Sequence, residues 1–375
     1  MSLLKDIKEA VLDEIRKRPY TAGEKIPGIR ELAERYKVSY VTMANALAML
    51  AEEGIIKQYP GKGSFVTELL AKTSVALLAP DYLLGIRAHN SETDSTCLFG
   101  LMDVYAGLLA NIERNGFNLH VIPVSHDTLD GEAVYQMLTE KLKIAAVFFL
   151  AIDAEPLVQR FDQERFPYCV IHNLSERSFN YVAVDLEKGA FQAVAHLTEL
   201  GHKRIALISG TKDSVWFKGR YAGYCGALAN AGIRYDGRLV KDSSMSTIDD
   251  DVLRQFVDEL LGLPQPPTAF FVTSDRWALR VMDILKSRGV NMPDEISVVG
   301  FDDYVESKVY DPPLTTVRQP FYELGAQAFS LIKNLLGDPS RQKVRIIDPS
   351  LIMRKSTAPC PVQAKRATRS KRDER

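Results

Sequence analysis

From about Ser74 to Ser356, short and mostly apolar runs alternate with longer amphipathic stretches, and that rhythm leaves few architectures open. The clearest runs are Val75–Ala79, Leu119–Pro123, Ala146–Leu150, Tyr168–Ile171, Arg204–Ile208, Ala269–Val272 and Ser297–Val299. They have strand length and lack the polar alternation of a strand with one wet face. Met102–Asn115 and Phe191–Leu200, between them, carry helical spacing. Strand–helix–strand repetition of this kind predicts an α/β body of parallel sheets with helices on both faces. Ligands in such folds sit beyond the carboxyl ends of the strands.

Residues 1–67 follow a different pattern. Leu4, Ile7, Val11 and Ile15 fall on one helical face, and Arg18-Pro19 ends that helix. A second helix is expected from about Gly28 to Tyr36, with Ile29, Leu32 and Ala33 inward and Arg30, Glu31 and Glu34 in water. After a short turn, Ser39 is suited to cap a third helix, which carries Met43, Leu47 and Leu50 on one face and ends near Gly54. Ile55–Tyr59 and Ser64–Val66 then read as strands joined by Pro60-Gly61-Lys62-Gly63. Two helices across a tight turn, followed by a hairpin, form a winged helix-turn-helix whose second helix enters the DNA major groove. Its first turn exposes Tyr40, Val41 and Thr42, and the free N–H groups there can meet a phosphate. The hairpin tip carries Lys62 between Gly61 and Gly63, and the two glycines let the backbone approach a phosphate closely.

At 375 residues the chain exceeds one ordinary core, and its net charge of −1 restricts nucleic-acid binding to a local patch. Cys97, Cys169, Cys225 and Cys360 form no Cys-x-x-Cys pair and have no histidine cluster near them. Neither a disulfide framework nor a metal site is expected, and reduced thiols fit the cytoplasm. Met1–Arg18 lacks the apolar centre of a signal peptide, and no run reaches the ~18 apolar residues of a membrane span. No Walker-type loop, zinc-ligand helix or nucleophile–base pairing is visible, so neither an enzyme nor a cofactor is expected.

Residues 1–67 resemble the GntR family. The resemblance rests on Lys25-Ile26-Pro27, Arg30-Glu31-Leu32-Ala33, Val38-Ser39, Leu47, Leu50, Glu53-Gly54-Ile55-Ile56 and Gly61-Lys62-Gly63-Ser64-Phe65-Val66. It implies DNA contacts from Arg30, from the start of the recognition helix (Ser39, Tyr40, Thr42) and from the wing (Lys62, Gly63). The sequence departs from the family at Tyr40 and Ala44, where the family favours arginine, so guanine readout by bidentate arginine is lost there.

Residues 74–357 resemble the LacI/GalR regulators and the periplasmic sugar-binding proteins. The matching motifs are Val184-Asp185 through His202-Lys203-Arg204, Arg220-Tyr221-Ala222-Gly223-Tyr224, Ser274-Asp275 with Ala278, Ile296-Ser297-Val298-Val299-Gly300-Phe301-Asp302-Asp303, Pro312 to Val317, and Leu351 to Thr357. The resemblance implies two doubly wound lobes joined by three crossovers, with a ligand between them. It also implies polar ligand contacts from Arg220, Asp275 and Asp302, a guanidinium fork and carboxylates being suited to sugar hydroxyls. His172 stands where the family commonly has aspartate, and reads equally as a ligand contact or a partly buried histidine. Trp216 and Phe217 could wall a sugar face or simply pack, while Asp185 reads as a cap for the next helix.

A GntR-like head on a LacI-like body resembles the arabinose-responsive AraR type of regulator. The implied function is repression of carbohydrate genes, with a sugar-like effector, or alternatively a nucleobase, altering how a homodimer grips a double-stranded DNA operator. The expected organisation is a head at 1–67, a linker at 68–73, a body at 74–357 and a basic, disordered tail at 358–375. The polar stretch Asp81–Thr96 is long for a loop and could line the cleft, touch partners of the DNA-binding domain, or equally be a plain insertion.

Overall fold

The computed structural model describes residues 3–17, 23–67, 74–80, 95–124, 130–150, 155–172, 179–212, 214–243, 249–338 and 344–361. The expected linker, residues 81–94 of the long polar stretch and the chain after 361 lie outside them.

The head is built from α1 (Leu3–Lys17), α2 (Ile29–Arg35), α3 (Tyr40–Glu52) and the antiparallel pair β1 (Ile56–Tyr59) and β2 (Gly63–Val66). The helical faces read from the sequence meet in one core, where Val11, Leu32, Met43, Leu47, Leu50, Ile56 and Val66 are all buried. Each fully buried leucine contributes about 1.5–3 kcal/mol toward holding these three short helices together. Ser39 caps α3 by accepting from Thr42 N–H at 3.0 Å. Lys37 turns the chain between α2 and α3 with φ 54. A segment before α2 is stitched to the wing by Gly23 N–H to Val66 O at 2.8 Å and Ile26 N–H to Ser64 O at 3.0 Å.

The body has two six-stranded sheets. The first, or N-lobe, runs β4 (Asn118–Val124), β3 (Ser74–Pro80), β5 (Ala146–Leu150), β6 (Tyr168–Ile171), β7 (Tyr181–Val184) and β13 (Val344–Ile347), every pair parallel. The second, or C-lobe, runs β9 (Val240–Asp242), β8 (Ile205–Ser209), β10 (Ala269–Val272), β11 (Ser297–Asp302), β12 (Thr315–Arg318) and β14 (Ser350–Ile352), with only β14 antiparallel. The chain crosses between lobes after Val184, after Arg318 and after Ile347. These three crossovers lie side by side. Asp185 N–H donates to Ile347 O at 3.0 Å, and Lys188 pairs with Asp348.

In each lobe a pair of helices packs at closest approach through glycine. In the N-lobe, α4 (Ser95–Arg114) lies on α12 (Phe321–Gly337). A Cβ on Gly107 would stand 1.9 Å from Tyr322 O, and one on Gly325 would stand 2.0 Å from Val104 O. In the C-lobe, α7 (Leu186–Glu199) meets α8 (Val215–Asn230), where a Cβ on Gly223 would stand 2.2 Å from Glu187 O. Asp185 caps α7 through Lys188 N–H at 2.9 Å.

Two expectations need correction. Ser95 and Thr96 belong to α4 rather than to the preceding loop. The body also continues past 357: Cys360 is buried and its N–H donates to Leu200 O at 2.8 Å, while Ala358 O faces the buried ring of His202 at 3.0 Å. Those partners lie more than 150 residues away, beyond the reach of a composition-based boundary.

Gly325→Ala should therefore destabilise the protein by about 1–3 kcal/mol or more, because a backbone carbonyl cannot step aside. Gly337→Ala meets nothing within 4 Å, and should be neutral or stabilising by up to ~1 kcal/mol. Thermal unfolding of the two variants checks both.

Candidate effector cleft and DNA-reading surface

The carboxyl ends of β6 and β11 carry backbone that side-chained residues seldom adopt. His172 has φ 62, Asp302 φ 128 and Asp303 φ 63. Such positions persist only where surrounding contacts over-determine them, and they cluster at binding sites. At Asp303 the restraint is a pair of guanidinium groups: Arg318 Nε donates at 2.7 Å, and Arg354, which also donates to Leu314 O at 2.7 Å, closes the other side.

Asp302 projects from this turn against the N-terminus of α10 (Asp275–Ser287). Its carboxylate accepts from Gln319 Nε2 at 2.7 Å, from the Ser274 hydroxyl and from the Asp275 backbone N–H. Arg220 Nη2 stands 3.6 Å from the same carboxylate, and the guanidinium lies over the Phe301 ring at 4.4 Å. Burial raises the affinity of Asp302 for a proton, and the charge of Arg220 opposes that shift. Arg220 thus favours the anionic form, the state that accepts from hydroxyl groups.

Asp275 belongs to a different layer, which corrects the expectation that it contacts ligand. Its side chain is completely buried. It accepts from Tyr304 N–H at 3.0 Å, from Ser307 Oγ at 2.6 Å and from Thr316 Oγ1. Gly300 makes room for it, since a Cβ there would stand 2.2 Å from Asp275 Oδ1. Burial and the neighbouring Asp302 charge push the Asp275 carboxyl well above the usual range. Asp275 therefore braces the floor beneath Asp302.

His172 of the N-lobe and Trp216 of the C-lobe stack with ring centroids 6.1 Å apart, and Trp216 Nε1 donates to His172 O at 3.3 Å. Phe321, at the start of α12, meets the His172 ring edge-on at 5.5 Å. Burial, helped by the charge of Arg220, pushes the His172 imidazole down to about 4. Phe217 is buried and stacks on Tyr221, so it packs within the C-lobe.

An interlobe cavity of about 410 Å³ is lined on one side by Gly100, Asp103 and Phe321 and on the other by Asp302, Lys308, Arg318 and Gln319, among others. Among the residues expected at the site, Asp302 lines this cavity directly. Arg220 adjoins it through Asp302, and His172 with Trp216 through Phe321. Gln319, Ser274 and Phe321 were not anticipated. The only signal for them was position: Ser274 precedes the helix that follows β10, and Gln319 and Phe321 fall at a lobe crossover.

On the head, Tyr40 and Val41 are 53% and 65% exposed at the start of α3. Arg30, Lys62 and Asn45 are also exposed. Ser39 and Thr42 spend their hydroxyls on each other at 2.8 Å, and Gly63 lies under the Lys25 side chain.

A neutral His172 has a measurable consequence. The unfolded chain takes up its proton near the ordinary imidazole value of about 6.5, so stability falls as pH drops from there toward 4. In a Trp277→Phe variant, Trp216 fluorescence should stay flat from about pH 7.5 to about 5.5, where an ordinary imidazole would titrate against the indole. A midpoint near 6.5 contradicts the assignment.

Comparison with known proteins agrees with both halves of the fold. Residues 3–66 match the model of bacterial regulatory proteins of the gntR family, and residues 194–357 match a periplasmic binding protein-like domain. The HTH-type transcriptional repressor CytR of Escherichia coli is 34% identical over 349 residues, which is 89% of this chain and 97% of the repressor. The arabinose metabolism transcriptional repressor of Geobacillus stearothermophilus is 26% identical over 367 residues, 94% and 96% of the two chains. Among solved structures, the transcriptional regulator CelR in complex with cellobiose superposes with a TM-score of 0.62 at 24% identity, over 88% of this chain and all of that one. No helix among the described residues is long and apolar enough to cross a membrane. The chain belongs to the HTH-type transcriptional regulators, with a gntR-type DNA-binding head and a periplasmic-binding-protein-like sensor body.

Proposed function

We propose that the protein is a cytoplasmic repressor of carbohydrate-utilisation genes, without catalytic activity, whose operator affinity is set by a sugar-like effector between the lobes of the body. The observation that carries this reading is the polar cluster of Asp302 and Gln319 at strand ends with Arg220 from α8, beside the rings of Trp216, His172 and Phe321. A sugar offers vicinal hydroxyls on its edge and C–H groups on its face, and needs both kinds of wall. The carboxamide oxygen of Gln319 is buried without a hydrogen-bond partner among the described residues. A hydroxyl donor would satisfy it. The names of several relatives point the same way, the arabinose repressor and the CelR–cellobiose complex among them.

Effector binding draws the lobes to a different relative angle, changes the contact between the two bodies of a homodimer, and alters the spacing of the heads on paired half-sites. Arg30 and Lys62 hold phosphates in this scheme, while the start of α3 faces bases. Asp275 shapes the site from below without touching the effector.

Calorimetry against pentoses, hexoses, uronic acids and nucleobases, followed by operator titrations with any ligand found, tests the reading. One carbohydrate class should bind and shift operator affinity by about 5- to 150-fold. Arg220→Ala and Asp302→Ala should remove that shift and leave effector-free DNA binding intact. Lys62→Ala should lower the salt slope of DNA binding by about one. A nucleobase binding in place of every sugar, or a normal effector response in both cleft variants, overturns the assignment.

A further inference from the structure

The surface that α3 offers to the major groove carries no charge. The helix has no acidic residue in its first turn and no basic residue in its last, and its sequence from Tyr40 to Ala51 contains none of either. Met43, Ala46, Leu47 and Leu50 face the core. The opposite face presents Tyr40 and Val41, both more than half exposed, with Asn45 one turn on and Ala44 between them. Among the described residues, the exposed cations of the head, Lys5, Lys25, Arg30, Arg35, Lys37, Lys57 and Lys62, all lie off this helix, on α1, α2 and the segment before it, the turn and the wing. Phosphate attraction and base reading are thus assigned to different residues.

Each base edge in the major groove asks for a particular chemistry. Guanine offers two acceptors and calls for arginine or lysine, and cytosine offers a donor and calls for a carboxylate. The exposed face of α3 has neither. Thymine offers a methyl group, which an apolar side chain covers, and adenine offers the N6–N7 donor–acceptor pair that an asparagine amide matches with two hydrogen bonds. Val41 and Asn45 are four residues apart, so they share a face and are displaced by about 6 Å along it, under two base-pair steps.

We propose that α3 is a reader of A·T pairs. Val41, with the Tyr40 ring beside it, packs on thymine C5-methyl groups, and Asn45 pairs with an adenine edge within two steps. The cations at the flanks supply affinity without sequence preference. This inference rests on the DNA-binding role of the head and adds to it the chemical class of the sequence that is read.

The experiment uses the full chain. Duplexes are first enriched from a random pool, and the enriched site is then remade with deoxyuridine for thymine at each position in turn, which deletes one methyl and nothing else. At one or two positions per half-site the change should weaken binding by about threefold to fourfold, the value of one buried methyl. Val41→Ala should bind the thymine and uracil duplexes equally at those positions. Asn45→Ala should lose roughly tenfold or more of its discrimination at a neighbouring adenine, with the salt slope unchanged. Lys62→Ala should do the reverse, lowering the salt slope and keeping the base preferences. An enriched site with G·C pairs under the helix, or a thymine–uracil difference that survives in Val41→Ala, overturns the inference while leaving DNA binding in place. Failure to enrich any duplex removes the DNA-binding role itself, and the inference with it.

Discussion

A single buried carboxylate holds the cleft's floor in shape. Asp275 starts a helix, yet its oxygens are taken by donors from 29, 32 and 41 residues further along the chain. Breaking a buried acceptor away from several donors costs about 1–3 kcal/mol for each group left unmet. The Tyr304 loop and β12 are therefore fixed relative to the start of α10. On that floor stands the Asp302–Asp303 turn, with two successive positive φ angles held by Gln319, Arg318 and Arg354. Arg318 and Gln319 lie where the chain leaves for the other lobe, so the residues that shape the polar wall also form one connection between the lobes. In the proposed scheme, a ligand held by Asp302 or Gln319 acts directly on that connection.

The opposing wall is built differently. His172, Trp216 and Phe321 join the lobes by ring contacts and one hydrogen bond to a backbone carbonyl. Aromatic packing is tolerant of small shifts in a way that bidentate hydrogen bonds are not. The cleft thus has a rigid polar side on the C-lobe and a more compliant aromatic side bridging to the N-lobe. Burial and the charge of Arg220 lower the proton affinity of His172, while the same guanidinium stands 3.6 Å from the Asp302 carboxylate.

Much of this was legible in the sequence wherever the determinant was local. Ser39 as a cap, the inward stripe of α3, the wing turn and the strands Ala146–Leu150, Tyr168–Ile171 and Ala269–Val272 all follow from spacing within a dozen residues. The short strands at the crossovers, Thr315–Arg318, Val344–Ile347 and Ser350–Ile352, do not stand out because polar or half-exposed residues replace the buried apolar run. At the site the limit is distance along the chain. Asp275 and Asp302 look alike in sequence, each an aspartate at the end of an apolar strand. What separates them is depth, and depth is set by Gly300, Ser307 and Thr316, which no local pattern links to Asp275. Gln319 escaped notice for the same reason.

The central claim is that the cleft and the head are linked through one conformational equilibrium, and linkage makes that claim reciprocal. The most direct measurement is the affinity of a cleft ligand for the free protein and for the protein saturated with operator duplex, at one salt concentration. If cleft and head share one equilibrium, these two affinities differ by the same factor by which the ligand changes operator affinity. Equal ligand affinities in the two states, alongside an intact cleft and an intact DNA complex, would contradict it.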